Sequence, residues 1–366
     1  MAGKKEEKNT RRKESRRALD RKSREEAKNA KSWAREWLDA ILFAAVAALI
    51  IRALFLEAFR IPTPSMESTL LTGDFLLVSK LHYGARSPMT VGIPFTGIYI
   101  RGLELPWFRM PGFMSVRRGD ILVFNYPIED EAISQKTNYI KRTVGIAGDT
   151  LSIRDKVIHI NSQPEEHLDT FEQHYDVQVR QRLRLSPSKV RNAGGQVLQS
   201  SGDRYRINMT ADVADAMAEW PEIASVQPLV LPESFNDYAR QPFTFASGFS
   251  GNYHNLPDII IPFEGQQVIL TDENWHLYED IVTRYERNTV SRDQNLFIIN
   301  GDTTDQYTIR QDYYFMVGDS RDNSEDSRFW GFVPDDHIVG RAWVIYFSWD
   351  RERFLPRVRR MLNRIN

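Results

Sequence analysis

Ile61-Pro62-Thr63-Pro64-Ser65-Met66-Glu67-Ser68-Thr69-Leu70 begins two residues after an apolar run that ends at Phe59. Proline fixes its own φ and pushes the preceding residue to an extended conformation. Thr63 is therefore held extended by Pro64, and Ser65 leaves the pair in a pre-set direction. A serine presented rigidly beside an apolar segment is a candidate nucleophile. A turn serine capping the next element is the plainer reading of this window alone, so its flanks must decide.

Upstream, Leu38 to Phe59 is largely apolar, with Ala40 to Ile51 uninterrupted and charges at Asp39, Arg52 and Glu57. As a helix the stretch would span roughly 30 Å, one hydrocarbon core. Arg52 objects, since a central arginine costs about 2.5–3.5 kcal/mol on insertion scales. It lies toward the far end, where its stem can reach the headgroups. A cleaved signal sequence and a buried core helix are the competitors. The charged lead-in is long for a signal sequence and no clean small-x-small site follows, which favours an uncleaved anchor over 37–58. Residues 1–36 hold 14 Lys/Arg against 7 Asp/Glu and almost no large apolar residues. Such an arm cannot bury enough surface to order itself. Before a membrane segment it reads better as a cytoplasmic topology signal than as a nucleic-acid arm, which places everything after residue 60 across the membrane. Ser65 would then lie within about 30 Å of the helix end, because an extended residue covers only ~3.3 Å.

The 366 residues leave room for two domains plus accessories. The net charge of −1 steers nothing, and the absence of cysteine excludes a disulfide framework and a thiol nucleophile. Downstream of the serine, strand patterns recur at Asp74–Lys80, Ile121–Phe124 and Asn138–Val144. Alternation sends Lys141 to one face of its strand and Arg142 to the other. A solvated edge strand and an inward-facing cation both remain open. Residues 105–114, Leu-Pro-Trp-Phe-Arg-Met-Pro-Gly-Phe-Met, read as a loop tip dipping into lipid or as packed core.

From about 161 to 295 the texture turns polar and loop-rich, with helical patterns from Thr210 to before Pro221 and over Asp272–Glu286, which reads as an inserted domain. No metal-ligand spacing and no phosphate-binding glycine loop occurs. Strands resume over 296–350 around the dense polar run Gly318-Asp319-Ser320-Arg321-Asp322-Asn323-Ser324-Glu325-Asp326-Ser327-Arg328, a turn suited to internal hydrogen bonds and ion pairs. The basic tail 351–366 reads as a short amphipathic helix near anionic lipid or as a solvated tail.

A serine nucleophile needs a base. None of the seven histidines has a recognisable triad context. A lysine serves if burial lowers its pKa, and Lys141 is the candidate, though the residues alone leave that pairing open.

The stretch 61–70, Arg118-Gly119-Asp120-Ile121-Leu122-Val123-Phe124, Tyr139-Ile140-Lys141-Arg142, 318–324 and Asp326-Ser327-Arg328-Phe329-Trp330-Gly331-Phe332-Val333-Pro334 together resemble bacterial type I signal peptidases, in their order and with the anchor before the first. The resemblance covers roughly 38–160 and 296–350, and the insert resembles the enlarged second domain of some members. It implies a mainly β fold: a coiled antiparallel catalytic sheet in two parts (59–160 and 296–350), an inserted α+β domain and one N-terminal transmembrane helix. It implies a Ser/Lys serine endopeptidase, without metal or cofactor, that removes signal peptides from exported preproteins. The site would lie on the outer face of the cytoplasmic membrane, beside lipid and the secretion translocon, with no nucleic-acid partner. Ser65 resembles the nucleophile, Lys141 the general base and Ser324 the residue orienting the amine. The Ser65 N–H and Thr63 hydroxyl would form the oxyanion hole. Asp326 and Arg328 resemble a buried structural ion pair, which Asp319 would join. Phe59, Ile61, Pro62, Met66, Leu70, Val123, Tyr139 and Ile140 fall where the family lines its apolar subsites for small side chains. Pro64, Thr63 and Ser320 stand where glycine, serine and asparagine are common. The non-catalytic alternative is a membrane-tethered β-domain that binds exported chains or an assembly partner.

Overall fold

A computed structural model describes residues 33, 35–93, 98–165, 171–181, 183–235, 243, 252–293, 296–351 and 353–365. Most of the basic arm lies outside them. The chain divides into two units, Met1–Leu54 and Phe55–Asn366.

In the first unit, Arg35–Leu54 forms a 20-residue helix of mean hydropathy 2.1, with none of its apolar window buried in protein. Ile41, Leu42 and Phe43 are more than half exposed along it. At 1.5 Å per residue it is long enough to cross a hydrocarbon core. The expected anchor of 37–58 ran too far. Leu56–Arg60 is a strand, because its backbone finds partners residue for residue in Asp74–Ser79, from Leu56 opposite Ser79 to Arg60 opposite Phe75.

The second unit is built on an antiparallel sheet in the order Leu56–Arg60, Asp74–Ser79, Ile338–Asp350, Ile121–Asn125, Asn138–Gly145, Tyr313–Val317, Val333–Pro334. The fold is mainly β, as expected. Ile121–Asn125 and Tyr313–Val317 are buried at every position, as central strands covered on both faces must be. Ile61, Met66, Leu70, Leu76, Ile121 and Ile345 pack together on one face; Leu122, Phe124, Tyr314, Met316, Trp330 and Ile338 pack on the other. Both halves of the expected catalytic domain thus supply adjacent strands.

The expected insert, 161–295, meets two different arrangements. Residues 173–228 form a four-stranded antiparallel sheet, Gln196–Ser201, Arg204–Met209, Gln173–Val179, Ile223–Pro228, with its own core beneath the helices Pro187–Asn192 and Ala211–Ala218. Thr210 caps the second helix by accepting from the Val213 N–H. Residues 256–309 instead share one core with Leu151, Ile153, Ile158 and Ile160 of the first part, and Leu256–Ile260 pairs directly with Thr150–Arg154. The helical pattern over Asp272–Glu286 appears as Trp275–Tyr285, burying Ile281, Val282 and Tyr285 in that core.

The C-terminal expectation needs correction. Leu355–Pro356 and Asn363–Arg364 are short strands on Ile338–Asp350, separated by one helical turn, rather than an amphipathic helix. Arg360 donates to the buried Asp74 carboxylate at 2.7 Å, and Ile365 enters the core. These long-range partners outweigh the local helical pattern. In 105–114, Phe108 and Phe113 are exposed while Trp107 is half-buried.

Candidate active site

The turn carrying Ser65 is pinned at both ends. The Ile61 N–H donates to the Asp74 carbonyl, and the Gly73 N–H donates to the Ile61 carbonyl. Within it Leu70 N–H donates to Met66 O at 2.8 Å, and the Met66 and Leu70 side chains are fully buried. Lys141 comes from a central strand, opposite Leu122. Its Nζ donates to Ser65 Oγ at 2.7 Å, and both residues are buried.

Burial pulls the Lys141 ammonium down to about 8. The nearby carboxylates of Asp326, Asp319 and Glu325 work against it by favouring the charged form. The amine also sits 5.6 Å from the centre of the Tyr139 ring. That ring stacks on Tyr126 at 4.5 Å and meets Trp330 edge-on, so the wall of the site is rigid.

A cleft of about 590 Å³ surrounds the pair, lined by Pro62, Thr63, Tyr139, Ile140, Asn323 and Ser324 among others. Thr63 Oγ1 lies 3.5 Å from Ser65 Oγ. The Ser65 carbonyl accepts from Ser320 N–H, while no acceptor takes the Ser65 N–H among the described residues. Ser324 is buried in the same cleft, two residues before Asp326.

The polar run at 318–328 is held by three separate carboxylates. Asp326 and Arg328 form a bidentate pair, two bonds of 2.8 Å, with Gly318 N–H also donating to Asp326. Burial alone would raise the Asp326 carboxyl, yet Arg328 holds it below the usual range. Asp319 does not join that pair. It receives two 2.8 Å bonds from Arg142 and one of 2.6 Å from Thr69, which ties the run to the serine turn and the lysine strand together. Asp322 is gripped from the other side by Lys156 at 2.6 Å and His254 at 3.2 Å.

Of the expected substrate-binding residues, Pro62, Tyr139 and Ile140 line the cleft. Ile61, Met66, Leu70 and Val123 are at most 2% exposed and sit in the core behind it, with Phe59 packed against Val78, Val123 and Val339. Apolar neighbours of a buried strand and turn have core to fill before they have surface to offer, so the four buried residues pack behind the cleft, while Phe59 is only partly buried.

Two positions were not singled out from the sequence. For Arg142, strand alternation gives the direction but not the partner, Asp319. Gly318 is the other: a Cβ there would come within 2.4 Å of the Ser65 carbonyl oxygen and 2.3 Å of Ser324 Oγ. Its signal was a glycine leading a polar loop straight out of a buried strand. Gly318→Ala is expected to displace Ser65 or Ser324 and lower kcat by about a hundredfold with little change in circular dichroism. Wild-type turnover in this variant would show that the loop tolerates the shift.

The family described as Signal peptidase, peptidase S26 matches residues 34–206 and 258–349. Signal peptidase I of Buchnera aphidicola (subsp. Acyrthosiphon pisum) is 27% identical over 308 residues, covering 84% of this chain and 73% of that protein. Signal peptidase I of Haemophilus influenzae is 27% identical over 342 residues (88% and 72%). That of Pseudomonas aeruginosa is 26% identical over 314 residues (82% and 68%).

Proposed function

Because this chain belongs to the signal peptidase, peptidase S26 family, we propose that Ser65 and Lys141 are the dyad of its activity. The protein is a membrane-anchored serine endopeptidase that removes signal peptides from preproteins; the binding-only alternative is not favoured. The observation that carries the assignment of the dyad is the 2.7 Å bond from a buried lysine to a buried serine. In the neutral state Lys141 accepts the Ser65 proton as Oγ attacks the scissile carbonyl. The Ser65 N–H and Thr63 hydroxyl receive the developing oxyanion. Lys141 then returns its proton to the departing amine, leaving an acyl-enzyme. It next takes a proton from water, whose oxygen attacks the ester, and passes that proton to Ser65 Oγ as the new carboxyl end departs, which restores the neutral amine. Ser324 and the Asp326–Arg328 pair hold the loop facing the amine. An extended substrate would lie along the cleft beside Tyr139–Lys141, bonded through its backbone.

This reading sets the pH dependence. Only uncharged Lys141 accepts a proton, so kcat is expected to rise about tenfold from pH 7 to a plateau above about pH 9, with a midpoint near 8. A single-turnover profile that is flat between pH 6 and 9 would remove Lys141 from the role.

The short covalent tether supports a cut near lipid. Ser65 follows Leu54 by eleven residues, at most about 36 Å of extended chain. With the basic arm held in the cytoplasm by the positive-inside rule, the catalytic unit lies on the outer face of the cytoplasmic membrane, where the translocon delivers preproteins. Exposed Phe108 and Phe113 supply an apolar tip for lipid contact.

A further inference from the structure

Pro64 and Asn323 line the catalytic cleft and also a second one, of about 950 Å³, that runs away from the nucleophile. The two clefts therefore meet at Pro64 and Asn323, with Pro64 next to Ser65 in the chain. Strand register explains the second cleft's far wall. Directly opposed residues of an antiparallel sheet share a face, and Gln196, Asn208 and His174 stand opposite one another across three strands of the 173–228 sheet. All three line the second cleft. The next rows on that face, Asp176 opposite Arg206 and Gln178 opposite Arg204, line a further hollow of about 380 Å³. The opposite face carries the sheet's apolar core. One side of this sheet is thus packed, and the other is an open polar ramp that begins at the catalytic loop.

Two features mark the ramp as built for an extended chain. Asn208 is 5% exposed and its Nδ2 donates to Glu172, yet its buried Oδ1 has no hydrogen-bond partner among the described residues. A buried acceptor left empty costs about 1–3 kcal/mol, which an incoming backbone N–H would offset once the side chain turns into the cleft it lines. Charge is the second feature: the two hollows together are lined by five arginines against three carboxylates. One of those carboxylates, Glu67, is pushed by burial toward its neutral form. Successive rows on one face are roughly 7 Å apart, so three rows match about four residues of extended chain.

We infer that this ramp is the binding track for the preprotein segment that follows the scissile bond, and that it favours acidic side chains there. The inference rests on the proposed function, since it needs the bond to be cut at Ser65. Three preproteins with one signal peptide test it, differing only within about eight residues after the cut: neutral, two Glu or two Lys. At low salt the full-length enzyme is expected to cleave the Glu form about three- to tenfold more efficiently, by kcat/KM, than the Lys form. The ratio should fall toward one in about 0.5 M salt. Arg191→Glu combined with Arg206→Glu should invert it, and a ratio within one preparation does not depend on how much enzyme folded. A photoreactive residue about five positions after the cut, in a preprotein bound to the Ser65→Ala enzyme, should cross-link within 173–178 or 196–208. Normal cleavage of all three forms at equal efficiency, or cross-links confined elsewhere, would overturn the track. Failure to cleave the neutral form would instead overturn the function on which it rests.

Discussion

Lys141→Met is expected to lose at least about a thousandfold in kcat while folding more stably than the wild type. The loss follows from removing the amine bonded to Ser65 Oγ that can accept its proton. Ser65→Ala should lose as much, and the double variant no more than either, because the two act as one unit. The gain has a separate cause. Lys141 titrates near 8 in the folded protein and near 10.4 when unfolded. Between those values the unfolded chain binds more protons, so stability rises with pH there. Below about pH 8 the folded state carries the whole penalty, on the order of 3 kcal/mol. Methionine fills a similar volume without a charge to desolvate. Urea unfolding at pH 7 should show the variant's midpoint raised, and the wild type's rise between pH 8 and 10 should be smaller in the variant. A variant that is inactive because it is unfolded would contradict this account, as would one that still processes a preprotein.

Arg328→Met is expected to destabilise the protein by about 3–5 kcal/mol. It leaves the Asp326 carboxylate, which is fully buried, without the guanidinium that neutralises it. The damage should spread to activity, because Asp326 also holds Gly318 N–H, and a Cβ at Gly318 would touch both Ser65 and Ser324. Adding Asp326→Asn to Arg328→Met removes the stranded charge, and more than half of the lost stability should return. Activity should not return with it, since the loop loses its bidentate clamp. Denaturation midpoints of the wild type and the two variants decide the matter; equal stability in both Met variants would mean that the carboxylate is rescued by something other than its arginine.

The parts of this site that could be read from the chain are those fixed by neighbours. Pro62 and Pro64 set the direction of Ser65 through backbone sterics, which act between adjacent residues. Alternation put Lys141 and Arg142 on opposite faces because a strand repeats every two residues. The same local reasoning failed at Leu56–Ala58 and in the basic tail. There the apolar and basic patterns suited a helix, but pairing with strands distant in sequence decided the conformation. It also overcounted the cleft wall, since an apolar residue beside the nucleophile looks the same in sequence whether it faces substrate or core. Met66 and Val123 face core.

The chain by itself determined an apolar span long enough for a bilayer, a rigidly aimed serine after it, and a strand carrying a lysine, since each depends on contacts within a few residues. Only the folded protein decided that this lysine is a base. Its proton affinity is set by desolvation, and the atoms that exclude water from it belong to segments brought together from across the chain. The same holds for the loop opposite: Asp319 meets Arg142 across 177 positions and Asp322 meets Lys156 across 166. Coulomb attraction and burial act through space, so no spacing along the sequence records them.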